Sequence, residues 1–481
     1  MKRLTTTISA LALLVIVPLL PGPIQGNAHT FVQVGPEAAS LPRGEIVRSV
    51  ICTQVPGQSY ALYLPARYRP DQAWPIIYAF DPAARGYLPV EHYREAAEKY
   101  GIIIAGSNNS RNGPWVDNFT AAAAMWADTH QRFALNSSRV YVTGFSGGAR
   151  VACEVASMPR YRVAGVIAHG AGFRQGHEPT PDLPFSFFGI VGNEDFNFLE
   201  LQELDRTLDD LGIPNHIAVF DGPHNWAPEA VCTEAVEWLE LQALRSGIRE
   251  KDLGLLDTLY QKRLLAAEEY EKAGQFYEAH HSYTALAQDF QGLRAVQEIE
   301  DKRDQLAVSR AVRRRLKIER RLLKQEDNAL NAIGGNFAAI VDPARRVAAI
   351  ESIVSTAKHY QRLVRKKREP HELHLAARVL NYINNLAFTE GSAYLNMKYY
   401  PEAVAVLEMW AAINPDWPEP FYNLAGAYTL MGDTDKALAA LQAAIDRGFD
   451  DVAHIEANPR LFLLRKERAY RQMVAELRQK R

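Results

Sequence analysis

The sequence predicts a doubly wound α/β domain with a mostly parallel sheet, followed by an all-helical domain, and three observations carry that expectation. First, residues 74–80, 102–105, 140–142, 163–168 and 187–191 are compact apolar runs separated by stretches of helical periodicity. Short continuous apolar runs of this kind are the mark of parallel strands buried on both faces. Second, Gly144-Phe145-Ser146-Gly147-Gly148 follows one such run and precedes a helical stretch beginning at Ala149, so a serine stands on a sharp strand-to-helix turn. Third, beyond about Ser392 similar residues recur at an interval of 34.

Taken in order, residues 58–64 alternate around Tyr60, Leu62 and Leu64 and read as an early edge strand. Helices fit 90–100, 119–133, 149–157, 199–211 and 229–244. The apolar run 187–191 ends in Gly192-Asn193-Glu194-Asp195, and the run 216–220 is followed by Asp221-Gly222-Pro223-His224-Asn225-Trp226. The chain therefore offers a serine, a carboxylate and a histidine at the ends of successive strands. These residue types suit one another chemically. A serine hydroxyl is protonated at neutral pH and attacks carbonyls poorly, an imidazole can remove its proton, and a carboxylate on the other ring nitrogen fixes the tautomer and stabilises the imidazolium. Glu194 adjoins Asp195, and the Gly-x-x-Asp spacing favours Asp195.

With the G-x-S-x-G turn and the chain order Ser146, Asp195, His224, the stretch from about Glu45 to Leu244 resembles the α/β-hydrolase superfamily. It is most similar to dienelactone-hydrolase-like, carboxylesterase-like and polyester-depolymerase or feruloyl-esterase-like members. The resemblance implies a Ser146, His224, Asp195 triad and an oxyanion hole formed by the N–H of Gly147 and one from the loop after the third strand. That loop reads Asp81-Pro82-Ala83-Ala84-Arg85-Gly86 where many relatives have His-Gly; proline has no N–H, so Ala83 is the expected second donor. The gap between the runs ending near His169 and starting near Phe185 is too short for an inserted cap, so a lidless site is expected. His169-Gly170-Ala171-Gly172 comes after the serine and reads as a strand-end turn, with His169 at the edge of the site.

The loop Ser107 to Trp115, rich in Asn and Gly, reads either as a turn or as a substrate-binding loop, and Trp226 beside the histidine shares that ambiguity. Trp115, Arg111, Asn109 and Trp226 are the candidate substrate contacts. No cofactor is implied. Cys52, Cys153 and Cys232 form no C-x-x-C pair, and their odd number leaves at least one unpaired thiol or an intermolecular bond, with all three pairings open. Buried free thiol is the expected state of Cys153. His371 and His374 share a helix face but lack the further ligands a metal needs.

The 481 residues allow two or three domains, and a hydrophobic fraction of 47% can furnish real cores. A formal net charge of −2 gives no bulk attraction to nucleic acid. Lys2 and Arg3, the apolar run 8–20, Pro21-Gly22-Pro23 and the small residues near Gly26-Asn27-Ala28 read as a secretory signal over residues 1–28. Export to the periplasm or the outside, with no membrane span after cleavage, is the expectation.

The remaining organisation is an α/β domain over 40–246, a helical connecting region over 250–385 and repeats over 386–478. Ala393-Tyr394 recurs as Ala427-Tyr428, Ala403 as Ala437 and Leu407 as Leu441, with a loop at Gly432-Asp433 and Asn414-Pro415 closing the first unit. This resembles tetratricopeptide repeats for about two units. The stretch from Ala266 through Tyr270 and Gly274-Gln275 to Ala279 repeats part of the pattern and suggests a degenerate unit. Basic residues at 310–324 and 362–368 read as a solvated helix face or as a patch for an acidic partner or phospholipid. Stacked helix pairs present a surface for a protein partner.

The reading as a whole is an exported serine hydrolase, of carboxylesterase type, acting on a small or oligomeric ester. The alternatives are a prolyl-oligopeptidase-type peptidase, disfavoured by the lack of a propeller, and a catalytically weak scaffold, favoured by Pro82.

Overall fold

The computed structural model describes residues 41–366 and 369–479. The expected leader over residues 1–28 lies outside them, as does part of the basic run 362–368. Among the described residues no helix is long and apolar enough to cross a membrane.

The strands are β1 Ile46–Ile51, β2 Ser59–Tyr63, β3 Trp74–Phe80, β4 Ile103–Ser107, β5 Leu135–Phe145, β6 Gly165–His169, β7 Ser186–Gly192 and β8 Asn215–Phe220. They form one sheet in the order β1-β2-β4-β3-β5-β6-β7-β8. β2 pairs antiparallel with both β1 and β4, and every pairing from β4 onward is parallel. All seven residues of β3 and all five of β6 are buried, as the continuous apolar runs require of strands covered on both faces. The covering helices are α1 Tyr87–Tyr100, α2 Trp115–Arg132, α3 Gly147–Ala156, α4 Phe198–Asp210 and α5 Glu229–Arg245. This is the doubly wound, mostly parallel sheet that the sequence predicts. Because β3 to β8 run the same way, the loops after β3, β5, β7 and β8 all emerge at one edge.

The outermost strand is β1 rather than the expected 58–64 segment, which is second. β1 carries Arg48 and Ser49 and is half solvated, so it lacks the apolar run that betrays the central strands. Residues 170–185 hold no helix or strand, so no cap domain is inserted there.

The rest of the chain is helical: α6 Leu253–Lys272, α7 Phe276–Phe290, α8 Gln297–Ala307, α9 Arg310–Ala339, α10 Arg346–Val364, α11 Pro370–Asn396, α12 Tyr400–Ile413, α13 Pro418–Met431, α14 Thr434–Asp446, α15 Val452–Ala457 and α16 Arg468–Gln479. It is not a detached appendage. Leu241 and Leu244 at the end of α5 share a buried cluster with Leu256, Leu259, Tyr283 and Phe290 of α6 and α7. The Trp238 indole of α5 donates to Asp289 Oδ1 of α7 at 2.7 Å. Glu237, wholly buried, accepts from Lys99, Tyr100 and Lys262 at 3.1, 2.8 and 2.7 Å. Burial alone would keep its carboxyl protonated, but these donors outweigh burial and hold its pKa below the ordinary value.

One turn geometry recurs along the helical part. Asp433 N–H donates to Tyr428 O (3.0 Å) and Ala437 N–H to Asp433 O (3.0 Å), across Gly432 at φ +82°. The same pair of bonds links Tyr399 to Tyr394 and Ala403 to Tyr399 (2.8 and 2.9 Å) across Lys398 at φ +65°. It links Gln275 to Tyr270 and Ala279 to Gln275 (both 2.9 Å) across Gly274 at φ +74°. These are left-handed helix ends that satisfy the last carbonyls and start the next helix. The alanines after them are fully buried, as the crossing of closely packed helices requires.

Candidate active site

Ser146 caps α3 with φ 54° and ψ −120°, a conformation that side chains rarely adopt. Such a residue stores about 1–3 kcal/mol and persists only where its surroundings fix it. Here Ser146 N–H donates to His169 O at 2.8 Å, and the N–H groups of Ala149 and Arg150 return to Ser146 O at 3.0 and 3.3 Å. The flanking glycines are sterically required. A Cβ at 144 would lie 2.1 Å from Gly148 O, and one at 148 would lie 2.1 Å from Phe80 O.

Asp195, fully buried in the loop after β7, has both carboxylate oxygens 2.8 Å from His224 Nδ1. A carboxylate only accepts, so Nδ1 carries a proton, and in the neutral ring Nε2 is the nitrogen with the lone pair. Asn197 N–H, at 2.8 Å, holds Asp195 Oδ1 from the other side. The imidazole is packed between Phe145 and Phe196, with ring centroids at 4.6 and 4.2 Å. Phe145 immediately precedes Ser146, and a Cβ on Gly170, next to the His169 carbonyl that holds Ser146, would lie 3.0 Å from His224 Nδ1. The histidine is thus brought to the serine turn. Ser146 Oγ itself has no hydrogen-bond partner among the described residues, so the acid-to-histidine link is formed and the histidine-to-serine link is not.

The acid and histidine loops are joined by Asn193. Its Oδ1 accepts from Gly222 N–H (3.1 Å), its Nδ2 donates to Asp221 Oδ1 (2.8 Å), and its N–H donates to Phe220 O (2.8 Å). Glu194 N–H adds a bond to Gly222 O at 3.0 Å. A Cβ at Gly192 would strike Gly222 O at 2.2 Å, which is why the first residue of the Gly-x-x-Asp spacing has none.

The oxyanion expectation is half corrected. Gly147 N–H, at the start of α3, has no partner among the described residues. Ala83 N–H has one: it donates to Asp81 Oδ1 at 2.9 Å. Asp81 is fully buried and organises its whole loop, taking Arg85 N–H and Nε on Oδ1 (3.3 and 2.9 Å) and Arg85 Nη2 and the Trp226 indole on Oδ2 (both 2.9 Å). Burial pushes its pKa up, but Arg85, Trp226 and the Ala83 N–H outweigh that and hold it below the ordinary value. An aspartate before proline folds the next N–H groups back on itself, and this is what removes Ala83 from the site.

Asn112 takes the neighbouring position. A Cβ at Gly147 would lie 1.8 Å from Asn112 Oδ1 and 3.6 Å from its Nδ2. Its loop is fixed by Asn112 N–H to Pro82 O (2.8 Å), and by Arg111 N–H and Ser110 Oγ to the buried Asn118 Oδ1 (2.9 and 2.7 Å). The sequence marked this loop but not the residue, because which of its asparagines faces the serine turn depends on the β4–α2 connection.

Of the candidate substrate contacts, two are committed elsewhere. Asn109 accepts from Ser59 N–H (2.8 Å) and donates to Gly57 O (3.2 Å), closing the β1–β2 turn. Trp226 is 4% exposed, bonded to Asp81 and packed on His169 at 4.6 Å. It is a pillar beneath the site. Trp115 is half-buried with the Arg174 guanidinium 4.7 Å above its ring, and the Arg111 side chain is exposed. His169 is buried, bonded through Nε2 to Tyr93 Oη (2.7 Å), and burial pushes its pKa down to about 3. The three cysteines are buried and free, and burial pushes the Cys52 thiol up to about 11. Cavities of about 1170 Å³ beside Met158 and Leu183 and about 620 Å³ between α4, β8 and the helical part are not lined by Ser146, which is itself half-buried.

Neither a scan against protein-family models nor a search of curated proteins gives a match. Among solved structures, the S-formylglutathione hydrolase of Staphylococcus aureus is similar over 41% of this chain and 98% of its own, with 13% identity and a TM-score of 0.34. An esterase from Pyrobaculum calidifontis is similar over 43% and 89%, with 12% identity and a TM-score of 0.34. The dipeptidyl peptidase 4 of Porphyromonas gingivalis is similar over 41% and 35%, with 14% identity and a TM-score of 0.33.

Proposed function

We propose that this chain is a serine hydrolase that cleaves carboxylic esters through an acyl-enzyme. The observation that carries the reading is the strained Ser146 turn standing beside His224, whose Nδ1 is bonded to the buried Asp195. Ser146 Oγ attacks the ester carbonyl carbon while its proton passes to His224 Nε2. The tetrahedral intermediate collapses with that proton going to the departing alkoxide, which leaves as alcohol. Water then gives a proton to Nε2, attacks the acyl carbon, and the proton returns to Ser146 as the carboxylic acid leaves. The histidine-to-serine bond is one that commonly tightens only with substrate in place. Gly147 N–H is one oxyanion donor, and the Asn112 side-chain amide, turned so that Nδ2 faces the site, is the second. No step calls for a cofactor. A site with no cap inserted between β6 and β7 suits soluble or bulky esters.

The proposal includes export, on the strength of the N-terminal charge and apolar run, and a tetratricopeptide-like role in protein recognition for the helices after Ser392. A second reading, a scaffold with weak catalysis, is favoured by one observation: the Ala83 N–H is spent on Asp81. Turnover of short nitrophenyl esters against aminoacyl anilides tests the class. Ester cleavage exceeding anilide cleavage by at least a hundredfold is expected; a preference for the anilide would favour a peptidase, and neither activity would favour the scaffold.

A further inference from the structure

We propose that helix α11 of the helical part positions the acid and histidine of the site, with Arg378 and Asn381 as positioning residues. The inference rests on the reading of Ser146, Asp195 and His224 given above. Arg378 Nη1 donates to Asn193 O at 2.8 Å, and Asn381 Nδ2 donates to Glu194 O at 2.9 Å. These carbonyls belong to the two residues directly before Asp195. His374, one turn earlier on the same face, stands 3.4 Å from Asn193 Nδ2. Residues 374, 378 and 381 are spaced by four and three, so one stripe of α11 lies along the acid loop.

The grip is stiff on the helix side. Arg378 and Glu326 of α9 are both buried, joined by two bonds of 2.7 and 2.5 Å, and the guanidinium lies 4.2 Å over the Phe198 ring at the start of α4. A planar guanidinium held at two nitrogens by a carboxylate leaves the third aimed in a fixed direction. On the loop side the effect spreads. Asn193, held by its carbonyl, is the residue whose side chain fastens the histidine loop at Asp221 and Gly222. A displacement of α11 therefore moves the carboxylate and the imidazole together against the serine, which stands on the turn between β5 and α3.

The surroundings make these polar links decisive. The 620 Å³ cavity borders the same contact, lined by Asn193, Phe198, His374 and Arg378. Polar groups of the sheet domain and of the helices, Asp205, Asp209, His216, Glu319 and His371 among them, line the same cavity. A misplacement of about 1 Å at a catalytic group costs on the order of a hundredfold in rate. The helical part thus has a consequence for the chemistry that a separate binding module would not.

The test uses the full chain with two variants, Asn381→Asp, which keeps shape but removes the donor, and the double change Arg378→Gln with Glu326→Gln, which leaves no unpaired buried charge. Measured are the rate of fluorophosphonate labelling of Ser146, kcat and KM for a nitrophenyl ester, and the low-field proton resonance of His224 Nδ1–H. The expected result is labelling and kcat at least tenfold down, KM within twofold, and a weakened or shifted resonance, with unchanged near-UV circular dichroism in Asn381→Asp. Labelling within twofold of wild type and an unaltered resonance in Asn381→Asp would overturn the proposal, whatever the double variant does. Failure of the wild type itself to label would instead overturn the hydrolase reading and the positioning role with it.

Discussion

The side chain of Asn112 lies so close to Gly147 that a Cβ on residue 147 would sit 1.8 Å from Asn112 Oδ1. The loop after β4 and the start of α3 are thus fitted to one another, and the absent side chain at 147 is what admits an amide beside the Gly147 N–H. Removing one oxyanion donor typically costs 10²–10³ in kcat. Asn112→Ala is expected to lower kcat about a hundredfold with KM little changed, and steady-state kinetics on a nitrophenyl ester check it. A kcat within threefold of wild type would remove Asn112 from the chemistry.

Asp81 predicts an acid limb in stability. Its folded pKa lies below the ordinary 3.8 because Arg85, Trp226 and Ala83 N–H together overcome burial. A depressed carboxylate contributes stability that is complete above the unfolded value and is lost as pH falls through the folded one. Asp81→Asn is therefore expected to destabilise by about 1–3 kcal/mol at pH 7, with the deficit narrowing below about pH 4. Urea unfolding at pH 7 and at pH 3 measures both. A deficit that does not depend on pH would contradict the assignment.

Asp205 has the opposite sign. Burial first, and the nearby Asp209 second, push its pKa up to about 6 from 3.8. The folded state then holds the proton more tightly than the unfolded chain, so stability falls as pH rises across that window and the loss is complete above it. Asp205→Asn is expected to gain up to about 2–3 kcal/mol over wild type above pH 7, and nothing below pH 3.8. Denaturant midpoints across this range give the difference curve.

Lys398 occupies the left-handed position that Gly432 and Gly274 occupy in the equivalent turns, at φ +65°. A side chain in that region costs roughly 1–2 kcal/mol. Lys398→Gly is expected to stabilise the chain by about 1 kcal/mol, seen as a raised unfolding midpoint with an unchanged slope. A loss of stability would mean that the Lys398 side chain makes up for its backbone.

The parts legible in the sequence were those whose signal is local. Ser146, Asp195 and His224 each close a recognisable strand, and strand order alone brings those three loops to one edge. The 34-residue spacing likewise reports a turn that the structure repeats at Lys398 and Gly432. What escaped depends on contacts between loops. Ala83 looked free because nothing in the string Asp-Pro-Ala says that a buried Asp81 will collect the Ala83 N–H and the Trp226 indole. Trp226 and Asn109 looked like substrate contacts because an aromatic or an asparagine beside a site is the same in sequence whether it faces solvent or the next strand. The Arg378 contact to Asn193 spans 185 residues and has no sequence signal.

The most direct measurement is fluorophosphonate labelling of the full chain beside Ser146→Ala and His224→Ala. Labelling of the folded wild type, abolished by both substitutions, is the predicted result. A folded wild type that takes no label, or a label that survives Ser146→Ala, would contradict the central claim that Ser146 is a nucleophile activated by His224.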